Sequence, residues 1–415
     1  MRNTHRKNTV RYYLLVVVAL VFLFFSGDYG LIDTQKTAIV MAVGIDREDD
    51  TFIVTSQIAI PQSSKQGSAN QTVQLVSRGK TVADAFEEIN AKTGWYPKLV
   101  FCHLIILGEK TAQRDVFDAL DFFLLDEYMS DNCLLATCDG TAKDMLNNTA
   151  LVDPSVSVAI QKVLSPHAER VGSVLPSTLR EFAIGYFSDA KSGFLPVIKT
   201  QPQQEKIGES ENGETQQKSG QSEQGGQSQG GQQGSQGQSS QGGETDKPVF
   251  SASETALFFK GKRVGTLTKE ETFAFNAVKS ELRLATYSVE QDGAFCSLNI
   301  KRNTPKTKFT LGADDRATYS IDLTLSAGLL DYSKSLPVDK TADLGDTPDG
   351  VFEQAEKRLS GQIHTLFEKC RNANCDLFEM QSELQRAAKN RFDELHSTVL
   401  QNALLNVTVH FQGVR

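Results

Sequence analysis

Residues 38–60 read AIVMAVGIDREDDTFIVTSQIAI. An apolar run up to Asp46 is closed by a charged turn, Arg47-Glu48-Asp49-Asp50. Beyond the turn, Phe52, Val54, Ile58 and Ile60 alternate with Ile53, Thr55, Gln57 and Ala59. Two extended segments around an acidic turn predict a β-hairpin. The acids between Asp46 and Asp50 lack the ligand spacing of a calcium loop and read as a solvated hairpin tip.

Upstream, residues 12–25 (YYLLVVVALVFLFF) carry no charge and follow Arg2, Arg6, Lys7 and Arg11, with no acid among residues 1–11. A basic flank before an apolar run marks an export signal or an N-terminal anchor, with the basic end on the cytoplasmic side. Fourteen residues at about 1.5 Å each span roughly 21 Å, short of a hydrocarbon core of about 30 Å. That length suits a signal segment. The exit lacks the small-x-small pattern of a cleavage site, since Phe24 and Phe25 stand where small residues belong. An uncleaved anchor over residues 12–27 is the favoured expectation, a cleaved signal its alternative. Either carries everything after Asp28 across the membrane.

Downstream, a strand around residues 73–77 precedes a helix. Thr81-Val82-Ala83-Asp84 has the form of a helix start, and Gly94 of its stop. Residues 99–107 read as one buried strand and 116–125 as a helix. Residues 134–139 read as a strand, followed by helices opening at Thr141, Pro154 and Leu179. Residues 194–198, with Pro196, suit a short edge strand. Residues 201–247 are almost entirely Gln, Gly, Ser and Glu. No apolar period exists there, which predicts a disordered linker. Beyond it come a hairpin around Lys260-Gly261-Lys262 and a capping box, Thr268-Lys269-Glu270-Glu271. Strands are expected at 294–300, 308–311 and 317–325. Amphipathic helices are expected at 351–369 and 376–400, and a last strand around Val407, Val409 and Phe411. The fold class is therefore α+β: several small mixed domains behind an N-terminal membrane helix. The expected divisions are 1–11 basic flank, 12–27 anchor, 30–200 N-terminal region with two subdomains, 201–248 linker and 249–415 C-terminal domain.

The chain of 415 residues has a formal net charge of -8. A net acidic body is not drawn to nucleic acid or to anionic lipid. Six cysteines in this length are not a disulfide scaffold. Cys370 and Cys375 flank an expected helix end and form the one candidate disulfide. Cys133 and Cys138, five residues apart on one strand, are too far apart at roughly 16 Å. Cys102 and adjacent His103 point to opposite faces and cannot act as a pair. The histidines are scattered: His5, His103, His167, His364, His396 and His410. There is no metal motif, nucleophile elbow or phosphate loop. No catalytic, cofactor or metal residue is assigned, and no enzymatic activity is expected.

The order of several short motifs resembles the Ger(x)C family, the C subunit of bacterial spore germinant receptors. The motifs are Ala38-Ile39-Val40 through Val43-Gly44-Ile45-Asp46, Cys102-His103-Leu104-Ile105-Ile106-Leu107-Gly108-Glu109 and Leu120-Asp121-Phe122-Phe123. They continue through Leu195-Pro196-Val197-Ile198, Ala256 to Gly265, Leu267 to Glu271 and Cys375-Asp376-Leu377-Phe378. The resemblance implies a non-enzymatic α+β body of three small domains on the outer face of the spore inner membrane. It implies two partners, an A subunit and a transporter-like B subunit, and a role in triggering germination in response to nutrients. Two departures stand out. The family carries a lipobox cysteine where this chain has Asp28, and without sulfur no thioether lipid attaches there. After Phe123, the run Leu124 to Ser130 lacks arginines that the family often has. Two other readings compete. An exported solute-binding protein would need a cleft of converging polar groups. An exported hydrolase would need a clustered Ser, His and Asp.

Overall fold

The computed structural model describes residues 12–21, 37–59, 72–150, 153–201, 249–291, 293–333 and 350–414. The expected hairpin is present: β1 (Thr37–Glu48) pairs antiparallel with β2 (Thr51–Ala59), and β2 with β3 (Thr72–Gly79). On its other side β1 pairs in parallel with β4 (Tyr96–Lys98) at its start and with β5 (Leu104–Leu107) further along. β6 (Leu134–Cys138) and β7 (Ser192–Gln201) continue in parallel, and β8 (Val249–Phe259) and β9 (Lys262–Leu267) add antiparallel. Together they form one nine-stranded sheet. β8 and β9 follow the Gln/Gly/Ser stretch in sequence yet complete the sheet begun before it. Of that stretch, residues 202–248 lie outside the described residues.

Helices cover this sheet on both faces, as parallel strands require. Val40, Val43, Ile45, Ile105 and Leu107 pack with the helices Val82–Thr93, Phe117–Leu125 and Leu179–Phe187. Ala42, Leu104, Ile106 and Ala136 pack the opposite way, with Ala142–Asn147 and Val156–Val163. Helix ends follow the local chemistry. Thr81 and Asp84 form a reciprocal capping box, and Gly94 closes the same helix at φ 69°, a conformation that costs glycine little.

The second sheet is β10 (Ala285–Gln291), β11 (Ala294–Leu311), β12 (Ala317–Tyr332) and β13 (Leu404–Gly413), in that order. Along β12, Tyr319, Ile321, Leu323 and Leu325 are buried while Asp322 is exposed and Ser320 and Thr324 are half-buried. The buried face meets the long helix Val351–Asn372, through Leu359, Ile363, Leu366 and Phe367, and the helix Lys269–Lys279.

Several expectations are corrected. The strand expected at 99–107 is shortened to β5 (Leu104–Leu107): residues 99–103 are loop, and β4 (Tyr96–Lys98) lies before the expected span. β11 joins the two strands expected at 294–300 and 308–311, with register shifts around Ser297 and Ile300. β10 was not foreseen. The helix expected over 376–400 is broken into Met380–Ala387, a 3₁₀ turn at Lys389–Arg391, Phe392–Leu395 and Val399–Asn402. At the N-terminus, residues 12–21 are helical and exposed. Among the described residues no helix is long and apolar enough to cross a membrane. Residues 22–27 of the expected anchor, and Asp28, lie outside the described residues.

Candidate functional site

Some of the motif residues meet at two structural joints. At the first, the carboxylate of Asp46 is buried at the end of β1. It accepts hydrogen bonds from the backbone N–H groups of Ala142 (2.8 Å) and Lys143 (2.9 Å). Those are first-turn donors of a helix, which otherwise lack partners. Asp46 is therefore not part of the solvated tip: it ties β1 to the helix Ala142–Asn147, 96 residues on. Burial pushes its pKa up, opposed by the same two N–H groups. A β-carbon on Gly108 would sit 2.0 Å from Asp46 Oδ1. Hence the chain after β5 passes this carboxylate only as glycine. Asp49 and Asp50 do remain at the exposed tip.

The second joint lies between the two sheets. Asp376 is buried, and its carboxylate accepts from Met380 N (3.0 Å) and Gln381 N (2.9 Å), opening the helix Met380–Ala387. Its own N–H donates to Ser192 Oγ at 2.9 Å. Burial raises the Asp376 pKa, opposed by those N–H groups. Beside it, the Cys375 thiol donates to Phe258 O (3.3 Å) and Gly193 O (3.7 Å), and burial pushes its pKa up to about 12. The disulfide considered for Cys370 and Cys375 is not made: both are buried free thiols. Cys375 is instead directed at the carbonyls of β7 and β8. The bond between its N–H and Cys370 O (2.9 Å) belongs to the backbone turn.

Around this joint is a cleft of about 490 Å³, lined among others by Glu181, Ser188, Ser192, Lys279, Asp376 and Glu379. The Lys279 ammonium lies 3.4 Å from Glu379 and over the rings of Phe194 and Phe275. Ser280 Oγ donates to Glu169 at 3.0 Å. Glu271, the last residue of the expected capping box, accepts from Thr268 N at 2.7 Å. The same carboxylate receives Lys369 Nζ at 2.6 Å, pinning the long helix to the short one.

At the two joints the side chains of Asp46, Ser192, Glu271, Cys375 and Asp376 all have partners within the fold. Among the described residues there is no cluster of three or more metal-ligating side chains. His103, His364 and His396 each bond through Nδ1 to a carbonyl within four residues in sequence, and burial lowers the His103 pKa. Cys102 and Cys133 are neighbours: a hydrogen bond with Cys102, followed by burial, raises the Cys133 thiol pKa far beyond the usual range. Sequence reasoning missed the role of Asp46, whose partner lies too far along the chain to be inferred from spacing.

Two family models match the chain. The spore germination protein N-terminal domain covers residues 32–200. The spore germination B3/GerAC-like C-terminal domain covers residues 253–413. A crystal structure of the GerBC protein superposes with a TM-score of 0.51 at 14% identity, over 90% of this chain and 97% of that one. That likeness is one of fold. No curated protein matches.

Proposed function

Because the chain belongs to the GerAC-like spore germination family of receptor C subunits, we propose that it is a non-enzymatic scaffold of a germinant receptor. On this reading it sits on the outer face of the spore inner membrane with an A subunit and a transporter-like B subunit. Nutrient recognition by the complex then leads to germination. The observation carrying this reading is where the family motifs fall. Val43 to Asp46, Leu107 to Glu109 and Cys375 to Phe378 meet at the two joints. Their polar groups are spent on capping helices and fastening strands. Such residues build a rigid plate for neighbouring subunits to bear on.

The N-terminal apolar segment takes the place of the lipid anchor, since Asp28 has no sulfur for a thioether. A lipid chain holds a protein reversibly, whereas an inserted helix is effectively permanent. Inhibiting signal peptidase II is expected to leave the mass unchanged and the protein in membranes. A change in mass would end that account. Assembly is tested by pull-down from spore inner membranes with mass-spectrometric identification. Recovery of neither integral-membrane subunit refutes the scaffold reading.

The cleft at the second joint favours one other reading, direct capture of a small nutrient, because Ser, Glu and Lys side chains line it. Calorimetry of the purified full chain with amino acids and sugars separates the two. Saturable heat abolished by Lys279→Ala would move recognition onto this subunit.

A further inference from the structure

β1, β4, β5 and β6 run in parallel, so their first residues share one edge of the sheet. That edge is apolar and exposed. It presents Trp95, Tyr96, Val100, Phe101, Leu125 and Tyr128, with exposure from 39% at Trp95 to 82% at Leu125. Lys98 lies with its ammonium 5.0 Å from the centre of the Tyr128 ring, joining the loop before β5 to the loop before β6. The opposite edge, where the same strands end, is charged: Glu48, Asp49, Asp50, Glu109 and Asp139 stand there with Arg47, Lys110 and Arg114, Asp50 paired with Arg114 and Asp139 with Lys199 and Arg263. β1 alone has 12 residues, which at about 3.3 Å each separates the two edges by roughly 40 Å.

Soluble surfaces rarely collect large apolar side chains without an occupant. Where this edge lies in the chain indicates which one. Tyr96 is the register partner of Thr37, the first residue of β1. Only residues 22–36 separate Thr37 from the apolar helix at 12–21. Fifteen residues reach at most about 54 Å. The edge therefore sits where the body is tied to the proposed anchor. A tether makes contact with the surface intramolecular, so weak affinity suffices for occupancy. Trp and Tyr beside Lys is also the composition of a membrane–water interface, where amphipathic rings settle at headgroup depth.

We propose that this edge rests on the lipid bilayer, with its aromatic side chains in the headgroup region and the charged edge turned away. The proposal depends on the anchoring described above. Asp126 and Glu127 immediately precede Tyr128, so the contact is apolar and aromatic and owes nothing to anionic lipid. Zwitterionic vesicles serve as well as anionic ones.

Trp95 is the only tryptophan, so the emission of the unmodified full chain reports on this edge alone. The full chain is reconstituted into phosphatidylcholine vesicles, with and without phosphatidylglycerol, and floated on a density gradient. The expected result is a blue-shifted Trp95 emission in the floated protein. It is quenched by lipids brominated near the headgroup and protected from aqueous iodide, equally in both lipids. The double variant Tyr96→Ser, Phe101→Ser, at two exposed positions, restores iodide quenching while still floating. Floated protein whose Trp95 stays open to iodide overturns the resting face and spares the anchor. Protein that does not float overturns the anchor and the resting face with it. A blue shift that appears only once a transporter-like subunit is added assigns the edge to a protein partner and overturns the lipid contact.

Discussion

The two sheets bury their strands differently. In β5 every residue from Leu104 to Leu107 is inaccessible, because helices lie on both faces. In β12 buried and more accessible positions alternate, because helices lie on one face. In the central parallel strands of the first sheet the residues are committed to packing, so exposed surface is pushed to the strand ends, one apolar and one charged. In the second sheet a whole face stays wet. The difference teaches where each half can meet partners: the first at its rims, the second across a face.

The largest test of this contrast lies in adjacent residues. Ile105→Ala and Ile106→Ala face opposite cores, and each should lower stability by about 2–5 kcal/mol in denaturant unfolding. In β12, Ile321→Ala should cost a comparable amount. Its neighbour Asp322→Ala should cost no more than about 1 kcal/mol, the worth of a cross-strand pair with Lys306 opposite it. Equal costs at Ile321 and Asp322 would erase the distinction between the sheets.

Next in size is the joint at Asp46. Asp46→Ala strands two helix N–H groups and should cost about 1–3 kcal/mol. Gly108→Ala should be harmful in the native chain and much less so combined with Asp46→Ala, because its β-carbon collides with that carboxylate. An additive double-mutant cycle would refute the coupling.

A smaller effect concerns pH. Asp46 and Asp376 both have pKa values raised in the fold above the ordinary 3.8. The folded state holds those protons more tightly than the unfolded chain does. Their contribution is therefore full below 3.8 and is lost as pH rises through the raised values. Asp376→Asn should flatten the fall in Tm just above pH 3.8, and a slope equal to that of the native chain would count against it. Smallest is a null effect: with its thiol pKa near 12, Cys375 should resist alkylation at pH 8 until the protein unfolds.

Much of this was legible locally. The hairpin around residues 47–50, the capping boxes at Thr81 and Thr268, the stop at Gly94 and the long helix from Val351 all rest on contacts between near neighbours. β10 escaped because Tyr287 and Val289 alternate over only a few residues. The helix expected to 400 broke because its apolar spacing outlasts its backbone: Ala388 leaves helical geometry at φ -146° and ψ 60°. The joints were invisible for another reason. Asp46 reaches residue 142, and Asp376 reaches Ser192, with nothing in either segment naming the other.

Composition and periodicity alone determined that this chain is an α+β protein with an apolar, basic-flanked N-terminal segment and two bodies of sequence either side of a Gln/Gly/Ser run. These properties depend on short-range sterics and on which side chains water rejects. Only the tertiary structure decided that β8 and β9 join the first sheet, that Asp46 and Asp376 are structural clasps, and that six apolar side chains share one rim. Each of those depends on strand order and on groups far apart in sequence meeting in space, where burial, hydrogen-bond satisfaction and excluded volume act together.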